Sequence, residues 1–501
     1  MVKRIWLVLI LSLFLMSTSV SSFAYSSFTH EHTCYQSSSC DDTLSKDLYE
    51  WADGTFTGEI SDDSGEVIGS ISGYLQQKRN PNQGVFQGTI YDASDVEIGL
   101  IQGRFHNNQL FGIIKEHEKT PKIYVGSFTG NSSDFSAEII IPFEGSYSIK
   151  GHHTDSFLPL LTGVYDVGIK SYHLIDTNRL ERFTEDPDDY RELILQIWYP
   201  VSMGTPSERI SYMDRPTFGW LFNRSPVPLV TIPDTAYEFV RPYSKQSPER
   251  LSSERFPVII FSHGYDGVFQ IYTSLIEDLV SHGYIVASIN HPYVAGITVF
   301  PDGREIFVAP VQENISIESV VSDVTFVLDY LTILDETDSV LAGIMDFDHI
   351  GMYGHSFGGA ATAICCYEDE RIDAGLTLDG VVYEDRVPVD FNKPFLMLLA
   401  EGHRISMGST YLWGLLDSDV YRVEVTGSTH YGYTDVGLLL HHFVPLIPQK
   451  ILGFGTIDAK RLVTITKSYE IAFFDTYLKN ASIESLYDIA DEYDEILFEY
   501  R

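Results

Sequence analysis

One pentapeptide constrains this chain more than any other feature: Gly354-His355-Ser356-Phe357-Gly358, followed by Gly359 and Ala360. Before it, His349-Ile350-Gly351-Met352-Tyr353 reads as a buried strand, and after it come small residues with a helical rhythm. A chance G-x-S-x-G is common in a glycine-rich chain. One set between a strand and a helix predicts a sharp turn that lifts the serine hydroxyl above a sheet. Glycines at 354 and 358 are needed because a side chain at either place would collide with the neighbouring strand or helix. The following helix N-terminus stabilises negative charge near an attacked carbonyl. Ser356 is therefore the candidate nucleophile.

The surroundings agree with that turn. From about residue 160 the pattern alternates strand and helix. Strands are expected at Leu193–Trp198, Val258–Ser262, Tyr284–Ile289, His349–Tyr353, Ala374–Leu378, Pro394–Leu399 and Tyr421–Val425. Helices are expected at Gln270–Ser281, Ile317–Leu334, Gly358–Tyr367 and Lys460–Leu478. Near-continuous apolar strands alternating with helices predict an α/β fold whose mostly parallel central sheet is covered on both faces. A Pro-rich insertion at 202–254 carries Trp220, Leu221, Phe222, Val227, Pro228 and Leu229, which suit either a lipid contact or a buried cap. Residues 481–501 read as an acidic tail with aromatics interleaved.

Residues 48–150 are built differently. Gly54-Thr55-Phe56-Thr57-Gly58 recurs as Gly84-Val85-Phe86-Gln87-Gly88 and as Gly126-Ser127-Phe128-Thr129-Gly130. Ile68-Gly69-Ser70-Ile71-Ser72-Gly73 recurs as Ile98-Gly99-Leu100-Ile101-Gln102-Gly103. Both motifs shift by 30 residues (54 to 84, 68 to 98), so they belong to one repeat unit. Alternating apolar residues and frequent glycine predict a small all-β repeat domain of short antiparallel strands. It suits a purely structural role or the binding of a lipid or polymer surface.

The first residues carry a targeting pattern. Lys3 and Arg4 precede the uncharged apolar run Ile5–Met16, and Ser22-Phe23-Ala24 is a small-x-small cleavage signature. The run is shorter than the roughly 20 residues that span a bilayer. Residues 1–24 thus read as a signal peptide of a secreted protein, with an uncleaved membrane anchor as the alternative. Of four cysteines, Cys34 and Cys40 could close a small loop in an oxidising compartment, while Cys365 and Cys366 read as two buried thiols. Neither pair has metal-ligand spacing, and no zinc site or cofactor motif is evident. A net charge of −37 repels phosphates and argues against a nucleic-acid partner.

A serine nucleophile needs a general base, and the base needs an orienting carboxylate. The strand–elbow–helix setting is that of the α/β-hydrolases, whose chain order is Ser, acid, His. Four histidines follow Ser356: His403, His430, His441 and His442. His430 lies in Gly427-Ser428-Thr429-His430, just beyond the strand Tyr421–Val425, at the sheet edge where ligands bind in open α/β folds. His441 and His442 follow Leu438–Leu440 and read as a helix surface. For the acid, Asp379 closes the strand Ala374–Leu378 and is followed by Gly380, which permits a turn into the site. Glu401, after the next strand, is the rival. The oxyanion hole should combine the backbone N–H of Phe357 with that of Tyr265, in His263-Gly264-Tyr265-Asp266-Gly267. His263 precedes the nucleophile and reads as a packed structural residue.

Taken together, these residues resemble the plasma-type platelet-activating factor acetylhydrolases. The matching parts are Phe261–Gly264, Gly354–Ala360, Leu378–Gly380 and Gly427–His430, with Ile197–Pro200 similar to the family's strand before its lipid-facing insertion. The likeness spans about 160–480, which would be the catalytic domain, and leaves the β-repeat domain outside. It implies an α/β-hydrolase fold, an acid on the strand that Asp379 follows, no metal, and cleavage of short or oxidised acyl chains from glycerophospholipids. The alternatives are a polyester- or lipase-type esterase, or a surface-binding protein with an inactive hydrolase domain. As an esterase, the chain would have a small-molecule or lipid ester as its partner.

Overall fold

The structure, a computed structural model, describes residues 53–501 except 78–82, 95, 107–108, 117–118, 131–133, 143, 155–157, 204–206, 208, 224–239, 247–253, 311–315, 381–390, 416–417 and 444–447. The targeting pattern at 1–24, Cys34 and Cys40 lie outside the described residues, as do Val227, Pro228 and Leu229.

The repeat region forms a closed eight-stranded barrel. Its strands are β1 (Asp53–Ser61), β2 (Val67–Gln77), β3 (Gln83–Asp92), β4 (Glu97–His106), β5 (Gln109–Glu116), β6 (Lys122–Gly130), β7 (Asp134–Ile141) and β8 (Gly145–Thr154). Each pairs antiparallel with the next, and β8 closes on β1. The 30-residue repeat is one hairpin, and its turn chemistry repeats as well. Asp62 Oδ1 accepts the Ser64 and Glu66 N–H groups at 2.8 and 3.1 Å, and Asp92 Oδ1 accepts those of Ser94 and Val96 at the same distances. Phe56, Ile71, Phe86, Ile101 and Tyr124 fill the interior. Tyr124 fits because Gly103 and Gly112 leave room: a Cβ there would lie 2.4 and 2.6 Å from its hydroxyl. Outside, Phe111, Val125 and Ile140 are paired across β5, β6 and β7 and are each about half exposed (59%, 46% and 51%), an apolar row facing solvent.

The remaining chain builds one ten-stranded sheet. Its long strands are β9 (Asp166–Leu180), β10 (Tyr190–Val201), β11 (Phe256–Ser262), β12 (Ile285–Asn290), β13 (Met345–His355), β14 (Ala374–Leu378), β15 (Phe395–Ala400), β16 (Val420–Val425) and β17 (Ile496–Tyr500). The two-residue strand Lys245–Gln246 adds to the β9 edge. From there the order is β9-β10-β12-β11-β13-β14-β15-β16-β17. The six strands from β12 to β16 in that order run parallel, and β9, β10 and β17 are joined by antiparallel pairings. Every residue of β11, β12, β14 and β15 is buried, which explains their unbroken apolar runs. Two apolar cores cover the two faces. The helices that supply them include α1 (Arg215–Asn223), α2 (Thr273–Ser281), α3 (Ile317–Thr337), α4 (Phe357–Glu368), α5 (Val436–Phe443), α6 (Ala459–Leu478) and α7 (Glu484–Glu492). Since β11 leads to β12 on one side while β13 lies on the other, the strand order reverses between β11 and β13. A crevice opens at the carboxyl ends of such a pair.

One expectation needs correction, and one of two open readings is decided for the described residues. Residues 481–501 are no free acidic tail: Leu486 on α7 is fully buried, and β17 pairs with β16 to complete the sheet. Phe498 stacks on Tyr421 and Tyr469, while Glu499 accepts hydrogen bonds from Arg404 and Arg422. The acids alternate with the aromatics because one face of the strand meets the core. In the insertion, the described part is a packed cap. Phe218 and Phe222 of α1 are buried, and Trp220 sits so close to Gly296 that a Cβ there would lie 1.9 Å from its ring. Cys365 and Cys366 are both buried free thiols. Among the described residues no helix is long and apolar enough to cross a membrane.

Candidate active site

The elbow has the geometry its glycines demand. Ser356 adopts φ 53° and ψ −116°, a left-handed backbone that costs a non-glycine residue about 1–3 kcal/mol and must be held by its surroundings. They hold it closely. A Cβ on Gly354 would lie 2.5 Å from the Gly358 backbone, and one on Gly358 would lie 2.1 Å from the Ser262 carbonyl oxygen. Phe357 opens α4, so its N–H is among the donors that have no partner within the helix.

Three side chains from distant parts of the chain meet at this edge. Ser356 follows β13, Asp379 follows β14, and His430 lies in the loop after β16. His430 Nε2 is 2.9 Å from Ser356 Oγ, and His430 Nδ1 is 2.6 Å from Asp379 Oδ2. With Nδ1–H donating to the carboxylate, Nε2 is left to accept the serine proton. Asp379 is buried at 2% exposure. Burial alone would raise its carboxyl, but hydrogen bonds from His430 and from the Ala400 N–H hold it below the ordinary value. It stays an anion.

The rivals have other partners. Glu401 accepts the Gly427 N–H at 3.0 Å and thereby braces the turn, with Gly427 at φ +80°, that leads into His430. His403 donates Nδ1–H to the same Asp379 carboxylate, 2.9 Å from both oxygens. His441 and His442 lie on α5. Gly380 is needed for a reason other than the turn: Asp379 itself carries the positive φ (49°), whereas a Cβ on Gly380 would lie 1.9 Å from Thr377 Oγ1 and 2.9 Å from Gly359 Cα.

Two buried hydrogen-bond chains, missed in the sequence, tie the loops together. His355 Nε2–H donates to the His430 carbonyl at 2.8 Å, so its Nδ1 accepts from the Tyr272 hydroxyl at 2.9 Å. Burial and the neighbouring His430 push His355 down to about 3, keeping it neutral for this task. One relay thus links Tyr272, the elbow and the loop of His430. The second chain runs beneath β11. Ser262 donates to His291 Nε2 at 3.0 Å, and His291 Nδ1–H donates to Asp323 at 2.9 Å. The arrangement repeats Ser–His–Asp, yet all three are fully buried, so no substrate reaches them. Arg191 and Arg179 neutralise Asp323.

This second chain fixes His263. The His291 backbone N–H donates to His263 Nε2 at 3.2 Å, so the proton of His263 is on Nδ1, which donates to the Gly264 carbonyl at 2.8 Å. Burial pushes His263 down to about 3, so the ring is neutral. The Gly264 carbonyl is turned toward that ring, and in a trans peptide the Tyr265 N–H points the opposite way. Gly264 lies against Ser356: a Cβ on it would be 3.1 Å from Ser356 Cβ. The Tyr265 side chain is engaged elsewhere, donating to the Ala309 carbonyl at 2.9 Å. The one sequence signal for this network was Asn290-His291-Pro292 at the end of an apolar strand, the same kind of edge that marked His430.

Comparison with known proteins bears on the same region. A family described as platelet-activating factor acetylhydrolase, isoform II, matches residues 156–328 and 313–493. The platelet-activating factor acetylhydrolase of Bos taurus is 25% identical over 269 residues, covering 45% of this chain and 58% of that protein. A protein of Arthroderma benhamiae named probable 1-alkyl-2-acetylglycerophosphocholine esterase is 33% identical over 132 residues, 26% of this chain and 33% of that one. The chain thus spans about three fifths or less of the length of these relatives. The structure of a ferulic acid esterase from Streptomyces cinnamoneus superposes with a TM-score of 0.58 at 26% identity, covering 69% of this chain and 99% of that one, and supports the α/β-hydrolase fold. By the match that runs through its elbow and the loops of Asp379 and His430, this chain belongs to the platelet-activating factor acetylhydrolase, isoform II, family.

Proposed function

We propose that this chain is a serine carboxylic-ester hydrolase that removes short or oxidised acyl groups from phospholipid-like esters by two-step acyl transfer. The observation that carries this reading is the contact of Ser356 Oγ with His430 Nε2, backed by buried, ionised Asp379. Ser356 gives its proton to His430 Nε2 as Oγ bonds to the ester carbonyl carbon. The oxyanion so formed is stabilised by the Phe357 and Tyr265 N–H groups. His430 Nε2–H then protonates the leaving alcohol as the C–O bond breaks. Water next attacks the acyl-enzyme, passes a proton to His430, and the acid leaves with Ser356 restored. The substrate class rests on what the relatives are named for. The acidic exterior favours zwitterionic or neutral esters over anionic membranes, and the outward row Phe111, Val125 and Ile140 offers an apolar contact to an aggregated lipid or polymer. We further propose export, on the strength of the pattern from Lys3 to Ala24.

The likeness to a ferulic acid esterase favours a second reading, a soluble aromatic ester as substrate. Two measurements decide. A fluorophosphonate probe should label wild type at Ser356, and an unlabelled protein would mean an inert, binding-only domain. Rates on a short-acyl phosphatidylcholine, a triacylglycerol, an aliphatic polyester and ethyl ferulate should rank the first highest. A ferulate rate above it would replace the phospholipid assignment.

The tautomer of His263 gives a further expectation. His263→Leu removes the donor to the Gly264 carbonyl and should cost about 10²-fold in kcat, the scale of one oxyanion donor. His263→Asn keeps a donor where Nδ1 now sits and should recover most of that loss. Equal rates in the two variants would detach this network from the oxyanion hole.

A further inference from the structure

We propose that Asp379, His403 and His430 form an inhibitory binding site for a borderline divalent cation, zinc above all. Among the described residues, ligand atoms of these three side chains all lie within 4.8 Å of one another. Both imidazoles aim Nδ1 at the same carboxylate, at 2.9 Å from His403 and 2.6 Å from His430. Two imidazole nitrogens and a carboxylate oxygen make a zinc donor set that leaves a fourth position for water. Zinc–ligand bonds of about 2.0–2.2 Å would put the ligand atoms roughly 3.3 Å apart, so only small side-chain rotations are needed. The His403 side chain is 51% exposed and that of His430 30%, so an ion has a route from solvent.

His403 is the residue that calls for this reading. Ester cleavage needs one imidazole on the carboxylate, and the second has no part in the two steps. As a ligand it completes a three-donor site around the group on which His430 depends. Zinc on Nδ1 moves the proton of each ring to Nε2. For His430 that places an N–H opposite Ser356 Oγ, where a proton acceptor is required. The relay is then shut without any change in the fold. The inhibitory consequence rests on the hydrolase reading; the binding site does not.

Zinc titrated against the initial rate on p-nitrophenyl acetate should inhibit reversibly, with activity restored by EDTA. Each variant is scored against its own zinc-free rate. His403→Gln should raise the half-inhibitory zinc concentration by about tenfold or more. His349→Gln removes another exposed histidine beside an acid (Asp346, 2.8 Å) and should leave it unchanged. This control separates the site from the zinc that any surface of charge −37 gathers. Zinc binding is also read without turnover, by chelator competition on Ser356→Ala with and without His403→Gln. Loss of one tight site with His403 supports the proposal even if the protein hydrolyses nothing. Binding indifferent to His403 overturns the site, and His403-dependent binding that leaves the wild-type rate unaltered overturns its inhibitory role.

Discussion

Ester turnover by the Ser356→Ala protein is expected to fall about 10⁶-fold, the scale seen when the nucleophile of a serine hydrolase is removed. The size follows from the chemistry. Without Oγ there is no acyl-enzyme, and His430 Nε2 loses the serine proton it faces at 2.9 Å. What remains is binding plus the oxyanion donors, worth about 10³–10⁴ over water. His430→Ala should cost a similar amount, and the double variant little more than either single one, because the two act as a unit. The alanine protein should fold normally, since Ala enters the φ 53° position no less readily than Ser does. Retained hydrolysis of p-nitrophenyl acetate by Ser356→Ala, at more than about a thousandth of the wild-type rate, would move the nucleophile elsewhere.

What was legible in the sequence was local. The elbow announced itself because two glycines and a serine are forced on a turn whose neighbours sit 2.1–2.5 Å from any added Cβ. The inner strands were legible because burial on both faces leaves no polar alternation. Asp379 could be placed because it directly follows such a strand, and His430 because it lies in the loop beyond the strand Val420–Val425. Illegible were contacts made across the chain. Asp323 lies 132 residues from Arg191 and 32 from His291, on a helix whose apolar rhythm gives no sign of a buried charge. The His355–Tyr272 bond spans 83 residues. Closure of the barrel through β1 and β8 is likewise a pairing of its two ends, which a repeat motif does not encode. The strand Ile496–Tyr500 was masked by composition: its acids suggested solvent, while Phe498 between Tyr421 and Tyr469 carried the real constraint.

The second large effect is expected from Asp379→Asn, a fall in kcat of about 10⁴-fold with binding of substrate little changed, as for the orienting carboxylate of a serine protease. An amide at 379 fills the same volume and keeps an acceptor for the Ala400 N–H, so the fold survives. The other terminal atom becomes an NH₂ facing His430 Nδ1. That nitrogen must then accept, so the proton of the ring moves to Nε2 and meets Ser356 Oγ as a donor. The base is in place with the wrong tautomer. His403 cannot substitute, because its Nδ1 also points at position 379 and not at Ser356. Glu401 is committed to the Gly427 N–H and leaves the defect uncorrected. Fluorophosphonate labelling should slow in step with kcat, since both need Ser356 deprotonated. A loss below about tenfold would mean that His430 holds its tautomer without the carboxylate, and that Glu401→Gln is the variant to measure next.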